Sequence, residues 1–212
     1  MGGTGGAELP IFELPLALLP GERTGLHIFE ERYKRMIGNS LESGEPFGIL
    51  LRDDDGPRSI GCSAVVDQLL ERYEDGRLDI VVKGEAPFQV VERFETPEYP
   101  AATIEEIDDP GGPGSDVEAA EAAREQFAAL AERSTGEPPD PDELAEADAY
   151  AIAGRVELPS ATKQRLLEMR DEDERMQLVA RALEAAGEAL ERAEKRATRA
   201  SSNGHLQPGG GS

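Results

Sequence analysis

The sequence predicts an α+β protein, a strand-rich lobe followed by a C-terminal helical bundle. Three observations carry that prediction. Up to about residue 109, short apolar runs alternate with turn formers, the pattern of half-buried strands. Asp108-Asp109-Pro110-Gly111-Gly112-Pro113-Gly114 then breaks regular structure. Beyond it alanine, glutamate and arginine dominate, and apolar residues recur at threes and fours, the period of an amphipathic helix. The expected bounds are 8–109 for the first lobe and 115–197 for the second, with disordered tails at 1–7 and 201–212.

Each element has its own signal. Leu9 to Leu19 is an apolar run broken by proline and closed by the corner Pro20-Gly21. Leu26-His27-Ile28-Phe29 is a second strand, flowing into a helix that begins near Glu30 and ends near Leu41. Tyr33, Met36 and Ile37 fall at i, i+3 and i+4, so they share its buried face. Phe47 to Leu51 is a short strand ended by Asp53-Asp54-Asp55-Gly56-Pro57. Ile60 to Leu70 and Leu78 to Val82 flank Asp75-Gly76, the strongest short-range hairpin signal. Pro87 to Phe94 and Ala101 to Ile107 are read as two further strands.

In the second half Ser115-x-x-Glu118 is a capping box, predicting a helix to about Glu132. Asp140-Pro141-Asp142-Glu143 supplies an N-cap, a proline at the first helical position and early acids. Ser160 and Asp171 are predicted N-caps of two more helices. After Asp171 the residues Met176, Val179, Leu183, Ala186, Leu190 and Ala193 form one seam. Its later positions are alanine and Gly187 interrupts it, so it packs on the chain's own helices instead of pairing with a second copy.

Charge narrows the function. The 212 residues carry a net charge of −22 with a pI near 4.4. Acids outnumber bases 23 to 10 up to residue 109 and 21 to 12 beyond it, so the acidity is spread over the whole chain. Such a field repels phosphate backbones and anionic membrane surfaces, which excludes nucleic acid and membranes as partners. The opening Met1-Gly2-Gly3-Thr4-Gly5-Gly6 has neither a basic nor an apolar leader segment, and no apolar run spans a bilayer. A cytoplasmic location is expected.

Residues 9–37 read Leu-Pro-Ile-Phe-Glu-Leu-Pro-Leu, then the Pro20-Gly21 turn, then Leu26-His27-Ile28-Phe29-Glu30 and Arg32-Tyr33 on the helix. In that order they resemble the opening of the Lon substrate-binding domain, the amino-terminal domain of Lon proteases. Val81-Val82-Lys83-Gly84-Glu85 and, later, Lys163-Gln164-Arg165-Leu166-Leu167-Glu168 with Glu174-Arg175 extend the likeness over roughly residues 8 to 192. Leu19 stands where many members have Phe, and Gly25 where many have Pro. The resemblance implies a twisted, barrel-like β lobe of the PUA-like type with a helical bundle behind it. It also implies a module that holds unfolded or partly unfolded polypeptides, with a separate protease or ATPase as a further candidate partner.

The chemistry of a full Lon protease is not found. No glycine is followed by lysine, so there is no phosphate-binding loop, and Gly-x-Ser-x-Gly is absent. Cys62, in an apolar run, reads as a buried structural thiol. Cys62, His27 and His205 are too few to hold zinc, and His27 between Leu26 and Ile28 reads as a hydrogen-bonded structural residue. Asp53-Asp54-Asp55 lacks the alternating ligands of a calcium loop. Glu105 and Glu106, adjacent on a strand, point to opposite faces. The expectation is therefore no catalytic residue, no metal and no cofactor. For polypeptide contact the candidates are Glu31, Arg32 and Arg35, the polar face of the first helix. The alternative is a small-molecule or RNA-related ligand held by a PUA-like β lobe.

Overall fold

The computed structural model describes residues 6–108 and 116–203. Strands β1 (Ala7–Leu14), β2 (Arg23–Ile28), β3 (Phe47–Asp53), β4 (Gly56–Pro57), β5 (Ile60–Arg72), β6 (Leu78–Glu95) and β7 (Pro100–Glu106) come first, with helix α1 (Glu31–Ser43) between β2 and β3. Helices α2 (Val117–Thr135), α3 (Pro141–Glu146), α4 (Ala149–Ala153), α5 (Ser160–Glu168) and α6 (Glu172–Asn203) follow. The protein is α+β, with a large, mostly antiparallel sheet and helices after it. Of the tails expected at 1–7 and 201–212 and the linker expected at 108–114, residues 1–5, 204–212 and 109–114 lie outside the described residues. Ala7 is already in β1, and residues 201–203 continue α6.

The sheet closes on itself. Its order runs β1-β7-β6-β5-β3, and β1 also pairs with β3, in parallel, which completes a ring. Closure depends on β1 changing neighbour. Ala7 to Pro10 pair with Ile104 to Ala101 of β7, and Ile11 to Leu14 pair with Gly48 to Leu51 of β3. Pro10 has no N–H to offer a ladder, and it stands where the pairing changes sides. Strand β2 is added outside the ring, along the first part of β6.

The ring's interior is small and apolar. Leu9, Ile11, Leu50, Phe88, Ala102 and Ile104 form one buried cluster there. A Cβ on Gly48 would stand 2.7 Å from Phe88 Cζ and 2.9 Å from Ile11 Cδ1. Small residues beside one large ring are how a narrow barrel fills without overpacking.

A second, larger core lies outside the ring and joins strands to helices. Phe12, Leu18, Leu19, Ile28, Tyr33 and Ile37 belong to the same buried cluster as Tyr150, Leu166, Met176 and Leu183. Burial of a Leu or Phe side chain stabilises by about 1.5–3 kcal/mol, so this shared cluster couples the two parts strongly. Polar contacts sit inside the junction. Lys163 of α5 donates to the buried Glu22 carboxylate, whose other oxygen accepts from Leu19 N–H at 3.0 Å. Gln164 donates to the Ile60 carbonyl at 3.1 Å. The expected seam of α6 is buried at Met176, Val179 and Leu183. Glycine 187 lies 3.8 Å, at its notional Cβ, from Leu130 of α2, so α6 packs on its own chain.

Three expectations need correction, and one helix was not anticipated. The runs Leu78 to Val82 and Pro87 to Phe94 are one strand, β6. The apparent break at Gly84 serves close approach: Gly84 exchanges backbone hydrogen bonds with the Pro20-Gly21 corner, donating to Glu22 O and accepting from Gly21 N, both 2.9 Å. A Cβ there would lie 2.2 Å from Leu19 O. Ser160 is not an N-cap; Pro159 occupies that position, and the Ser160 hydroxyl donates to Pro15 O at 3.4 Å. Helix α2 is capped by Asp116, whose carboxylate accepts from Ala119 N–H at 3.1 Å, while Ser115 lies outside the described residues. Helix α4, capped by Asp148, has no counterpart in the sequence reading. Asp140 and Asp171 do cap their helices as expected, and Gly76 takes the left-handed φ of 82° that the hairpin turn requires.

Candidate functional site

The end of β1 and the junction of β2 with α1 enclose a cleft of about 230 Å³. Alternation along β1 turns Phe12 away from the ring interior that Ile11 faces and into the second core, and the strand ends at Leu14, before Pro15, which cannot donate to a ladder. Phe12 packs on Tyr33 of α1 with ring centroids 4.1 Å apart, forming the floor together with the buried Ile28. Leu14 and Pro15 make one wall. Phe29 makes the other and is 62% exposed, a large apolar ring left in solvent one residue before the Glu30 N-cap. The His27 ring stacks toward it at 6.1 Å.

The rim is charged, and its charges are paired within the chain. The Glu13 carboxylate takes Arg52 at 2.5 Å and Arg93 at 3.1 Å. Glu30 takes Arg32 at 3.0 Å, and the same guanidinium lies 4.4 Å above the Tyr33 ring. Asp79 on β6 meets His27 Nδ1 at 2.5 Å and accepts from the Tyr73 hydroxyl at 2.7 Å. Those contacts, the Tyr73 hydroxyl foremost and His27 next, hold the Asp79 carboxyl below the usual carboxylate range. The Asp79 hydrogen bond in turn pushes the Tyr73 phenol up to about 12. What remains for a ligand is apolar and aromatic surface with a neutralised border.

Of the predicted contact residues, Glu31, Arg32 and Arg35 are all exposed on α1. Arg32 borders the cleft through Tyr33. Glu31 turns to Lys34, 2.9 Å away, whose ammonium holds its carboxyl low. Arg35 is one turn further along the helix and does not line the cleft. Sequence reading missed Phe29. The signal was there: Leu26 and Ile28 alternate inward, so Phe29 falls in the outward phase, an apolar residue at a solvent-facing position.

The remaining candidates for chemistry are structural. Cys62 is fully buried, its thiol donates to Ser63 O at 3.3 Å, and burial pushes it up to about 12, so it stays protonated. Asp53 is held by Arg58 across a hairpin. Glu105 and Glu106 are both exposed. Among the described residues no three His, Cys, Asp or Glu side chains converge on a metal position, and no helix is long and apolar enough to cross a membrane.

Comparison with known proteins fixes the family. The family model described as the ATP-dependent protease La (LON) substrate-binding domain matches residues 8–185. The chain belongs to that family. The matched Lon span starts in β1 and ends inside α6, so it takes in the ring, the cleft and most of the helices. Solved structures of the same architecture include a Lon N-terminal domain protein from Xanthomonas campestris, 22% identical with a TM-score of 0.63, aligned over 80% of this chain and 95% of that one. The N-terminal domain of the Mycobacterium avium complex Lon protease is 19% identical with a TM-score of 0.65, aligned over 84% of this chain and 98% of that one. At these identities the likeness concerns the Lon fold. No curated protein sequence matches the chain.

Proposed function

We propose that this Lon-type domain holds segments of unfolded or partly unfolded polypeptide in the cleft between β1 and α1, and performs no chemistry on them. The observation that carries the reading is the cleft itself: exposed Phe29 over a Phe12–Tyr33 floor, bordered by carboxylates and cations that already satisfy one another. Such a surface gains by burying an apolar side chain and offers no net charge to select among sequences. Membership of a substrate-binding family supports the same role. In the cytoplasm the domain acts as an adaptor in protein quality control, presenting bound clients to a separate protease or ATPase.

Titration of a labelled unfolded polypeptide at low and high salt tests this. One small apolar cleft corresponds to micromolar affinity, about −8 kcal/mol or weaker, and apolar contact persists as salt screens charge. Replacing Phe29 by serine removes most of one wall and weakens binding about tenfold. The Arg32→Ala, Arg35→Ala double variant weakens it about twofold, through Arg32. Absence of binding at any salt, with the fold intact, rejects the polypeptide reading in favour of a small ligand. Full binding by Phe29→Ser rejects the cleft.

A further inference from the structure

A second cleft, of about 370 Å³, opens at the mouth of the strand ring, away from Phe29. Its floor is the ring's own interior, Leu9, Phe88 and Ile104. One side is the first half of β1. There Ala7 to Pro10 pair with β7 along one edge and with no strand along the other, among the described residues. Alternate residues of a strand turn their N–H and C=O to opposite sides, so every second residue of Ala7 to Pro10 offers its backbone groups to the open edge, and Pro10 has no N–H to offer.

Four carboxylates surround the opening: Glu8 on β1, Glu45 before β3, Glu85 on β6 and Glu106 at the end of β7. All four are exposed, and no lysine or arginine lines the cleft. None of the four has an ion pair among the described residues. By contrast Glu13, at the Phe29 cleft, is matched by Arg52 and Arg93, and Asp53 by Arg58. An apolar floor, an unpaired strand edge and four unmatched negative charges are complementary to one kind of occupant.

We propose that the ring mouth binds an extended polypeptide segment in which lysine or arginine flanks an apolar residue. The segment adds to the free edge of Ala7 to Leu9, sets its apolar side chain over Leu9 and Phe88, and places its cations among Glu8, Glu45, Glu85 and Glu106. This rests on the polypeptide-holding reading and adds to it a second subsite with opposite selectivity: the Phe29 cleft is indifferent to charge, the ring mouth requires positive charge.

Three labelled peptides of equal length test it, built from leucine with lysine, with glutamate or with serine, and titrated at low and moderate salt. Because the whole protein is strongly negative, two triple variants of equal charge change are compared. One is Glu8→Gln, Glu45→Gln, Glu106→Gln at the ring mouth. The other is Glu121→Gln, Glu125→Gln, Glu132→Gln on the exposed side of α2. The expected result is that the ring-mouth variant raises the Kd of the lysine peptide at least fivefold and leaves the serine peptide unchanged, while the α2 variant changes the lysine peptide less than twofold. Equal effects of the two variants would mean that the preference is the general field of the protein, and would overturn the proposal. So would a lysine peptide that binds no better than the serine peptide. In either case serine-peptide binding through Phe29 survives, whereas failure of all three peptides to bind removes the polypeptide-holding reading itself.

Discussion

Strand β1 leaves one open edge on each side of Pro10, and the chain treats the two differently. Ile11 to Leu14 pair with β3, so their other edge faces a gap of about 210 Å³ toward Arg93, Phe94 and Pro100. Ala7 to Pro10 pair with β7, so their other edge faces the acidic ring mouth. The first gap is stitched. Arg93 reaches Glu13 at 3.1 Å and also donates to the carbonyls of Pro57 and Arg58, at 3.3 and 2.6 Å. Among the described residues no lysine or arginine lines the second. Each half of β1 is paired along one edge, parallel to β3 or antiparallel to β7, and what differs at the other edge is the side-chain charge. Pairing of charge across a gap closes one edge to partners, and its absence leaves the other available.

The comparison can be broken by substitution, most heavily at the floor the acidic cleft shares with the ring interior. Phe88→Ala should cost about 3–5 kcal/mol in chemical denaturation, because a fully buried ring is lost and the narrow barrel cannot collapse around the space. A loss below about 1 kcal/mol would mean that the ring mouth is not built on packed core. Gly48→Ala should cost about 1–3 kcal/mol, since the added methyl meets Phe88 and Ile11. In a Phe88→Leu background that cost should shrink, the coupling expected of residues in contact. Arg93→Ala should cost only about 1 kcal/mol or less, because the guanidinium is partly exposed and Glu13 keeps Arg52. Its larger consequence is hydrogen exchange: the Arg58 amide, which donates to Leu51 O, should lose protection while Ala7 to Leu9 stay unchanged.

The smallest effect concerns pH, at the other end of the sheet. The Asp79 carboxyl is held low by Tyr73 and His27. Its contribution is present above the ordinary carboxylate pKa and is lost as pH falls through the lowered folded value. Asp79→Asn should therefore be less stable than the parent near neutrality, and the difference should close on acidification. A difference that stays constant with pH would assign the loss to packing alone.

Local signals made much of the fold readable and non-local ones did not. Tyr33, Met36 and Ile37 are all buried on α1, Asp75-Gly76 turns the β5–β6 hairpin, and Asp140 and Asp171 cap helices, because each depends on near neighbours in sequence. Gly84 was misleading for the opposite reason. A glycine between charged residues looks like a break, and its use becomes visible only when Leu19, 65 positions earlier, lies against it. Ring closure is equally hidden, since no local pattern says that β1 changes neighbours at Pro10. At the candidate site Arg32 was legible as an exposed helix residue, and Glu31 and Arg35 with it. Phe29 was missed although its local signal exists: with Leu26 and Ile28 turned inward it falls in the outward phase, an apolar ring at a solvent position. The acidic ring mouth was still less accessible: Glu8, Glu45, Glu85 and Glu106 are far apart in sequence and meet only through closure of the ring.

Hydrogen–deuterium exchange, followed along the chain with and without a saturating unfolded polypeptide, tests the central claim most directly. Holding of clients by the strand-rich part predicts new protection at residues 12–15 and 27–33, around Phe29, with α2 and α6 unchanged. Protection confined to α2 and α6, or no change at a client concentration that saturates binding, would contradict it.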